Sequence, residues 1–180
     1  RENLRAGDRV LEIGGGVGLI SLLCAKTCGA ENLSIFEPNP AAVAAIKGNF
    51  ALNGMKPHIT EAAMALEDGT TGFFMNDNIF SSSLIDRKNE AKPVAVATRD
   101  IRSVIAQEEP TVLVMDIEGA EIDVLPLAAA PSIRAMIVEL HPHIVGHQAI
   151  NDLVETMASK GYPVSVRADE KVVMFESKAA

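Results

Sequence analysis

Residues Arg9–Ile13 (RVLEI) are apolar enough for a short buried strand, and they run straight into Gly14-Gly15-Gly16-Val17-Gly18. Val17–Lys26 then carries Val17, Ile20 and Cys24 at helical spacing, with Cys28 continuing the stripe and Gly29 as a natural stop. Asn32–Phe36 (NLSIF) is a second apolar strand. Asn39 is a good N-cap and Pro40 suits the first position of a helix over Ala41–Leu52. Strand, helix, strand, helix with short links predicts a parallel sheet with right-handed crossovers.

Pro57–Thr60 reads as a short third strand. Glu61 to about Gln107 reads as an insertion with candidate strands at Thr71–Met75 and Val94–Thr98 and a mobile stretch around Asn78–Asp86. An ordinary surface loop and a substrate-contacting loop are equally open there. Thr111–Ile117 (TVLVMDI) is nearly all apolar, as a strand buried on both faces is. A short helix over Gly119–Leu125 ends at Pro126, and Ile133–Leu140 is the next strand. His147–Lys160 is an amphipathic helix, and Pro163–Arg167 with Val172–Glu176 forms a closing hairpin. The fold class is therefore α/β, a doubly wound, mostly parallel sheet in one domain spanning residues 1–180.

Composition narrows the function classes. Sixteen Lys+Arg against 24 Asp+Glu give a net charge of −8, unsuited to a phosphate backbone, so no nucleic-acid partner is expected. No apolar stretch is long enough for a membrane span. No signal pattern opens the chain, which starts at Arg1, and a lost leader stays open. Cys24 and Cys28 are spaced as CxxxC, neither a redox nor a zinc pair, and point to a reducing, cytoplasmic-type compartment.

Ligands of such sheets sit at the carboxyl ends of the strands. Those ends carry Glu12 with Gly14, Gly16 and Gly18; Glu37, Pro38 and Asn39; Glu61 and Ala62; Asp116, Glu118 and Glu121; and Glu139, His141 and His143. A dinucleotide loop would place its third glycine at position 19, where this chain has Leu19. Glu12 would repel a pyrophosphate and attract a cation such as an α-ammonium or a sulfonium. Glu37, 25 residues after Glu12, is placed to accept both hydroxyls of a ribose.

The segments VLEIGGGVG (10–18), FEPNP (36–40), NFALNG (49–54), VMDIEGAEIDVL (114–125) and VELHPH (138–143) resemble the FkbM-type branch of class I S-adenosylmethionine-dependent methyltransferases. The resemblance runs from about residue 8 to 145. It implies seven strands in the order 3-2-1-4-5-7-6, S-adenosylmethionine as methyl donor, and O-methylation of a hydroxylated small molecule or sugar. Members often carry Asp at the position of Glu12 and Lys at that of Met115.

Asp116 is placed to meet the donor's ammonium, the acceptor, or a metal. His141, with an ordinary pKa of about 6.5, suits a general base; His143 is the second choice, facing away if the strand continues. Glu118 and Glu121 fit a substrate role or a helix cap equally. The spacing matches no dedicated metal motif, so a divalent cation is the less favoured reading. Two other functions stay open: a nicotinamide-dependent oxidoreductase, and an inactive donor-binding module.

Overall fold

A computed structural model describes residues 3–74, 93–169 and 171–178. The central sheet has seven strands in the order β3-β2-β1-β7-β8-β10-β9. In chain order these are β1 (Val10–Ile13), β2 (Leu33–Phe36), β3 (His58–Thr60), β7 (Val112–Met115), β8 (Ala135–Glu139), β9 (Val164–Arg167) and β10 (Val172–Glu176). β1 pairs in parallel with both β2 and β7, whereas β10 runs antiparallel to β8 and to β9. The sheet is thus mostly parallel and β10 is its reversed strand.

Alternation along β1 sorts the core. Leu11 and Ile13 face one cluster with Leu113, Met115, Met136 and Phe175, while Val10 faces the other with Cys24, Leu33, Ile46 and Phe50. Glu12 shares the face of Val10 and is 2 % exposed, a carboxyl group inside an apolar layer. That layer is covered by α1 (Leu19–Cys28) and α2 (Pro40–Leu52). Asn39 caps α2 by accepting the Ala41 N–H at 3.0 Å, as its position predicts. Cys24 and Cys28 are free and buried, and burial pushes the Cys24 thiol up to about 12.

The stretch read as an insertion holds more structure than expected. β4 (Ala63–Ala65), β5 (Gly69–Phe74) and β6 (Pro93–Asp100) make a second sheet in the order β4-β6-β5. β5 and β6 pair antiparallel from Gly69↔Thr98 to Phe74↔Pro93. The insertion also ends earlier than Gln107: α3 (Ile101–Glu108) starts directly after β6, capped by Asp100 through the Arg102 N–H at 2.9 Å. The stretch around Asn78–Asp86 lies outside the described residues. Two short helices, α4 (Glu121–Val124) and α5 (Pro142–Val145), follow β7 and β8, and α6 (His147–Ser159) packs Ile150, Leu153 and Met157 onto the core. Among the described residues no helix is long and apolar enough to cross a membrane.

Candidate active site

The loop after β1 and the end of β7 cross in close contact. Gly14 has φ +84, and a Cβ built on it would lie 1.8 Å from the Asp116 carbonyl oxygen. Only glycine fits there. Its N–H donates to the Phe36 carbonyl at 2.9 Å, and the Asp116 N–H donates to that of Ile13 at 2.9 Å. Gly16, at φ +53, faces open space. Gly18 is held by packing, since a Cβ would meet Ile46 at 3.3 Å.

Glu37 organises this loop. Its Oε2 accepts the Gly16 N–H and its Oε1 the Asn39 N–H, each at 2.9 Å. Burial raises its pKa, and the two N–H groups only partly offset that. A carboxylate has about four acceptor sites, so two remain for a pair of hydroxyls. The sequence missed the structural half of this role, because Gly16 and Glu37 are far apart along the chain.

Glu12 makes no ion pair with Arg9 or Lys26 among the described residues; it is buried beneath the loop. Its Oε2 has no hydrogen-bond partner. Burial raises its pKa to about 8; the nearby Ser21 hydroxyl opposes the rise without forming a hydrogen bond of ordinary geometry, and the charges of Glu37 and Asp116 add to it. An orphaned carboxyl oxygen of this kind suits a cationic N–H donor.

A cleft of about 50 Å³ lies between these groups, walled by Gly14, Glu37, Pro38, Ala62, Phe73 and Asp116. Met64 and Phe73, from the second sheet, line it and were not singled out in the sequence. The three-residue run Ala63-Met64-Ala65 is too short to give a periodicity signal. Glu61 is exposed and lies outside this lining, and Asn39 is occupied as the α2 cap. A wider groove of about 580 Å³ borders Arg9, Asn32, His58 and Pro110. It lies mainly at the opposite, N-terminal ends of the strands. The narrower cleft stands where ligands of such sheets bind.

The second half of the site is built on Glu121, which is fully buried. Its Oε2 accepts the Gly119 N–H at 2.7 Å, so it ties down the turn before α4. Its Oε1 accepts the His141 backbone N–H at 2.9 Å and faces His141 Nδ1 at 2.9 Å. A carboxylate can only accept, so Nδ1 carries a proton and donates it. That leaves Nε2 facing Glu118 Oε2 at 3.2 Å, Asp116 Oδ1 at 3.5 Å and Glu139 Oε1 at 3.9 Å. These oxygens favour a proton on Nε2 as well, and the ring must lose that proton before it can accept another. Glu118 reaches this position through left-handed backbone, φ 55, unusual for a side-chain-bearing residue.

The structure therefore brings Asp116, Glu118 and His141 together. Burial alone would depress the His141 pKa, but the hydrogen bond and charge of Glu121, with Glu118 and Asp116, outweigh it and raise it. Asp116 is pushed up to about 6 by burial and by Glu139, with the His141 ring opposing. His143 is not on a continuing strand. It stands exposed on α5, its ring centroid 5.7 Å from that of His141. Asp116, Glu118 and His141 each offer one ligand atom within 4.8 Å of the others, so a divalent cation could also be held there.

The architecture is shared with solved methyltransferases. The chain is similar to the FkbM methyltransferase of Methylobacillus flagellatus KT, with a TM-score of 0.63 and 12% identity. That match covers 97% of this chain and 45% of that one. It is also similar to the precorrin-6y C5,15-methyltransferase of Geobacter metallireducens GS-15, with a TM-score of 0.58, 12% identity, and coverage of 98% and 82%. In sequence it is similar to the ribosomal protein L11 methyltransferase of Bacillus pumilus (strain SAFR-032), 32% identical over 69 residues. Those residues are 38% of this chain and 22% of that protein, so the chain spans about a fifth of that relative's length. The methyltransferase FkbM domain matches residues 12–164, which includes both halves of the site, and the chain belongs to that family.

Proposed function

We propose that the protein is an S-adenosylmethionine-dependent O-methyltransferase acting on a hydroxylated small molecule in the cytoplasm, with His141 as general base. The observation that carries this reading is the Glu121–His141 pair, which aims a buried Nε2 at the strand-end carboxylates beside the glycine loop. When bound, the donor supplies an electrophilic methyl group on sulfur. Glu37 offers its two remaining acceptor sites to the ribose, and Glu12 offers its orphaned oxygen to the ammonium. Asp116 borders both the donor cleft and the His141 ring. The acceptor hydroxyl gives its proton to His141 Nε2, and Asp116 and Glu118 stabilise the imidazolium that forms. At about 50 Å³ the cleft is far below the ~300–1,000 Å³ common for ligand pockets, so on this reading the cleft widens when a nucleoside binds.

Thermal unfolding tests the donor assignment. S-adenosylmethionine or its demethylated product, at about 100-fold its Kd, is expected to stabilise the fold by roughly 2.7 kcal/mol. For a chain of this length that is a shift on the order of 5–11 °C in Tm, with none from NAD. A shift with NAD and none with either sulfur compound supports the oxidoreductase reading instead.

Glu37→Ala is expected to weaken donor binding by roughly 2–4 kcal/mol, from two lost charge-assisted bonds. It also orphans the Gly16 and Asn39 N–H groups, so a fall in Tm should accompany it. Donor affinity unchanged by calorimetry would leave Glu37 with its loop-ordering role alone.

A further inference from the structure

α5, α6 and the β9–β10 hairpin border an open cleft of about 960 Å³, lined by His143, His147, Arg167, Asp169 and Lys171 among others. Two contacts join it to the strand-end cluster. On one side the His143 ring lies 5.7 Å from the His141 ring, centroid to centroid. On the other, the Lys171 carbonyl accepts the N–H of Leu140, the residue before His141, at 2.9 Å. Register reinforces this second link, because Val172 pairs with Glu139 and Val173 with Arg167.

The two zones differ in charge. Around His141 stand Asp116, Glu118 and Glu139. Arg167 and Lys171 border the neighbouring cleft, and neither side chain makes an ion pair among the described residues. Asp169 also lines the cleft: its Oδ1 accepts the N–H groups of Lys171 and Val172, each at 2.7 Å, and its charge acts on Lys171. The described lining thus carries two cations, Arg167 and Lys171, against one carboxylate. Glu170, also on this hairpin, lies outside the described residues.

An anionic group placed directly at His141 would meet three carboxylates. One displaced into the cleft would meet a guanidinium and an ammonium against the single carboxylate of Asp169, a balance that favours phosphate or carboxylate. A neutral acceptor would leave those cations unused. We propose that the cleft is the anion subsite of the acceptor: the substrate is a small hydroxylated phosphate or carboxylate, anchored by Arg167 and Lys171 with its reacting hydroxyl at His141. This rests on the methyl-transfer reading and adds the acceptor's chemical class and orientation.

Calorimetric titration in the presence of S-adenosylhomocysteine tests it, with glucose 1-phosphate, glucuronate and glucose as probes. At least one anionic probe is expected to bind roughly 10-fold or more tightly than glucose. The tighter anion identifies phosphate or carboxylate as the recognised group. The double variant Arg167→Gln/Lys171→Gln is expected to abolish that preference while leaving Tm and S-adenosylhomocysteine affinity unchanged. Equal affinity for all three probes, or a preference that survives in the double variant, overturns the proposal. Donor binding is read in the same samples. Its absence with the anion preference intact overturns the methyl-transfer reading and not the subsite.

Discussion

Alanine at position 141 is expected to lower turnover on the true acceptor by roughly 10²–10⁴-fold while donor affinity changes little. In the proposed mechanism the imidazole accepts the proton, and His141 is not among the residues that line the narrow cleft assigned to the donor. In the unaltered protein the rate should rise with pH through a midpoint above the ordinary imidazole value. Glu121, Glu118 and Asp116 favour the charged ring against the effect of burial, and a protonated ring cannot accept the hydroxyl proton. Asp116 ionises near 6 in the same cluster, so the observed midpoint belongs to the group of residues. Glu121→Gln keeps the side chain's shape and removes its charge, so it should move the midpoint to lower pH. A purely structural Glu121 would cost stability and leave the midpoint in place. Near-normal turnover in His141→Ala would remove His141 from the mechanism and pass the proton to Asp116, Glu118 or water.

Glu12→Gln is expected to stabilise the ligand-free protein at pH 7. The folded carboxyl titrates near 8 against an ordinary 4.5. Folding at pH 7 therefore requires a proton that the unfolded chain does not hold. Stability on this account is fully present below about pH 4.5 and is lost as pH rises toward 8. At about 1.36 kcal/mol per pH unit, the cost at pH 7 is on the order of 3 kcal/mol. The amide carries no such cost, so the variant should gain about that much at pH 7 and nothing near pH 4. Urea unfolding at both pH values measures it, and a gain equal at the two would sink the argument. Donor binding supplies the second check. An ammonium meeting Glu12 should release a proton at pH 7, seen by calorimetry in buffers of different ionisation enthalpy, and the release should vanish in Glu12→Gln.

The first two strand–helix units were legible because each keeps one hydrophobic period and ends on explicit punctuation. Gly29 stops α1, and Asn39-Pro40 opens α2. β4 and α3 were not. Ala63–Ala65 is three residues long, beneath the reach of a periodicity argument. α3 begins at the residue after β6, so the period changes from two to 3.6 with no loop to mark it. The Asp100 cap was visible in the sequence but had no break beside it.

The site divides in the same way. Asp116 and His141 could be placed because they end apolar strands. The hub role of Glu121 could not, since it depends on the spatial approach of α4 to the end of β8, between residues 20 positions apart. Glu37 was read as a ribose acceptor alone, which left out the two backbone donors that it already satisfies.

The missing side chain at Gly14 has a mechanical consequence. The backbone of the loop is pressed against the Asp116 carbonyl, so the glycine loop after β1 and the end of β7 cannot shift independently without a backbone clash or the loss of that contact. On the proposed reading, that contact sets the line from leaving group to nucleophile during folding, before either substrate arrives. A single methyl group at position 14 would collide with the Asp116 backbone and push the two segments apart, and on the same reading that displacement alone would misalign donor and acceptor.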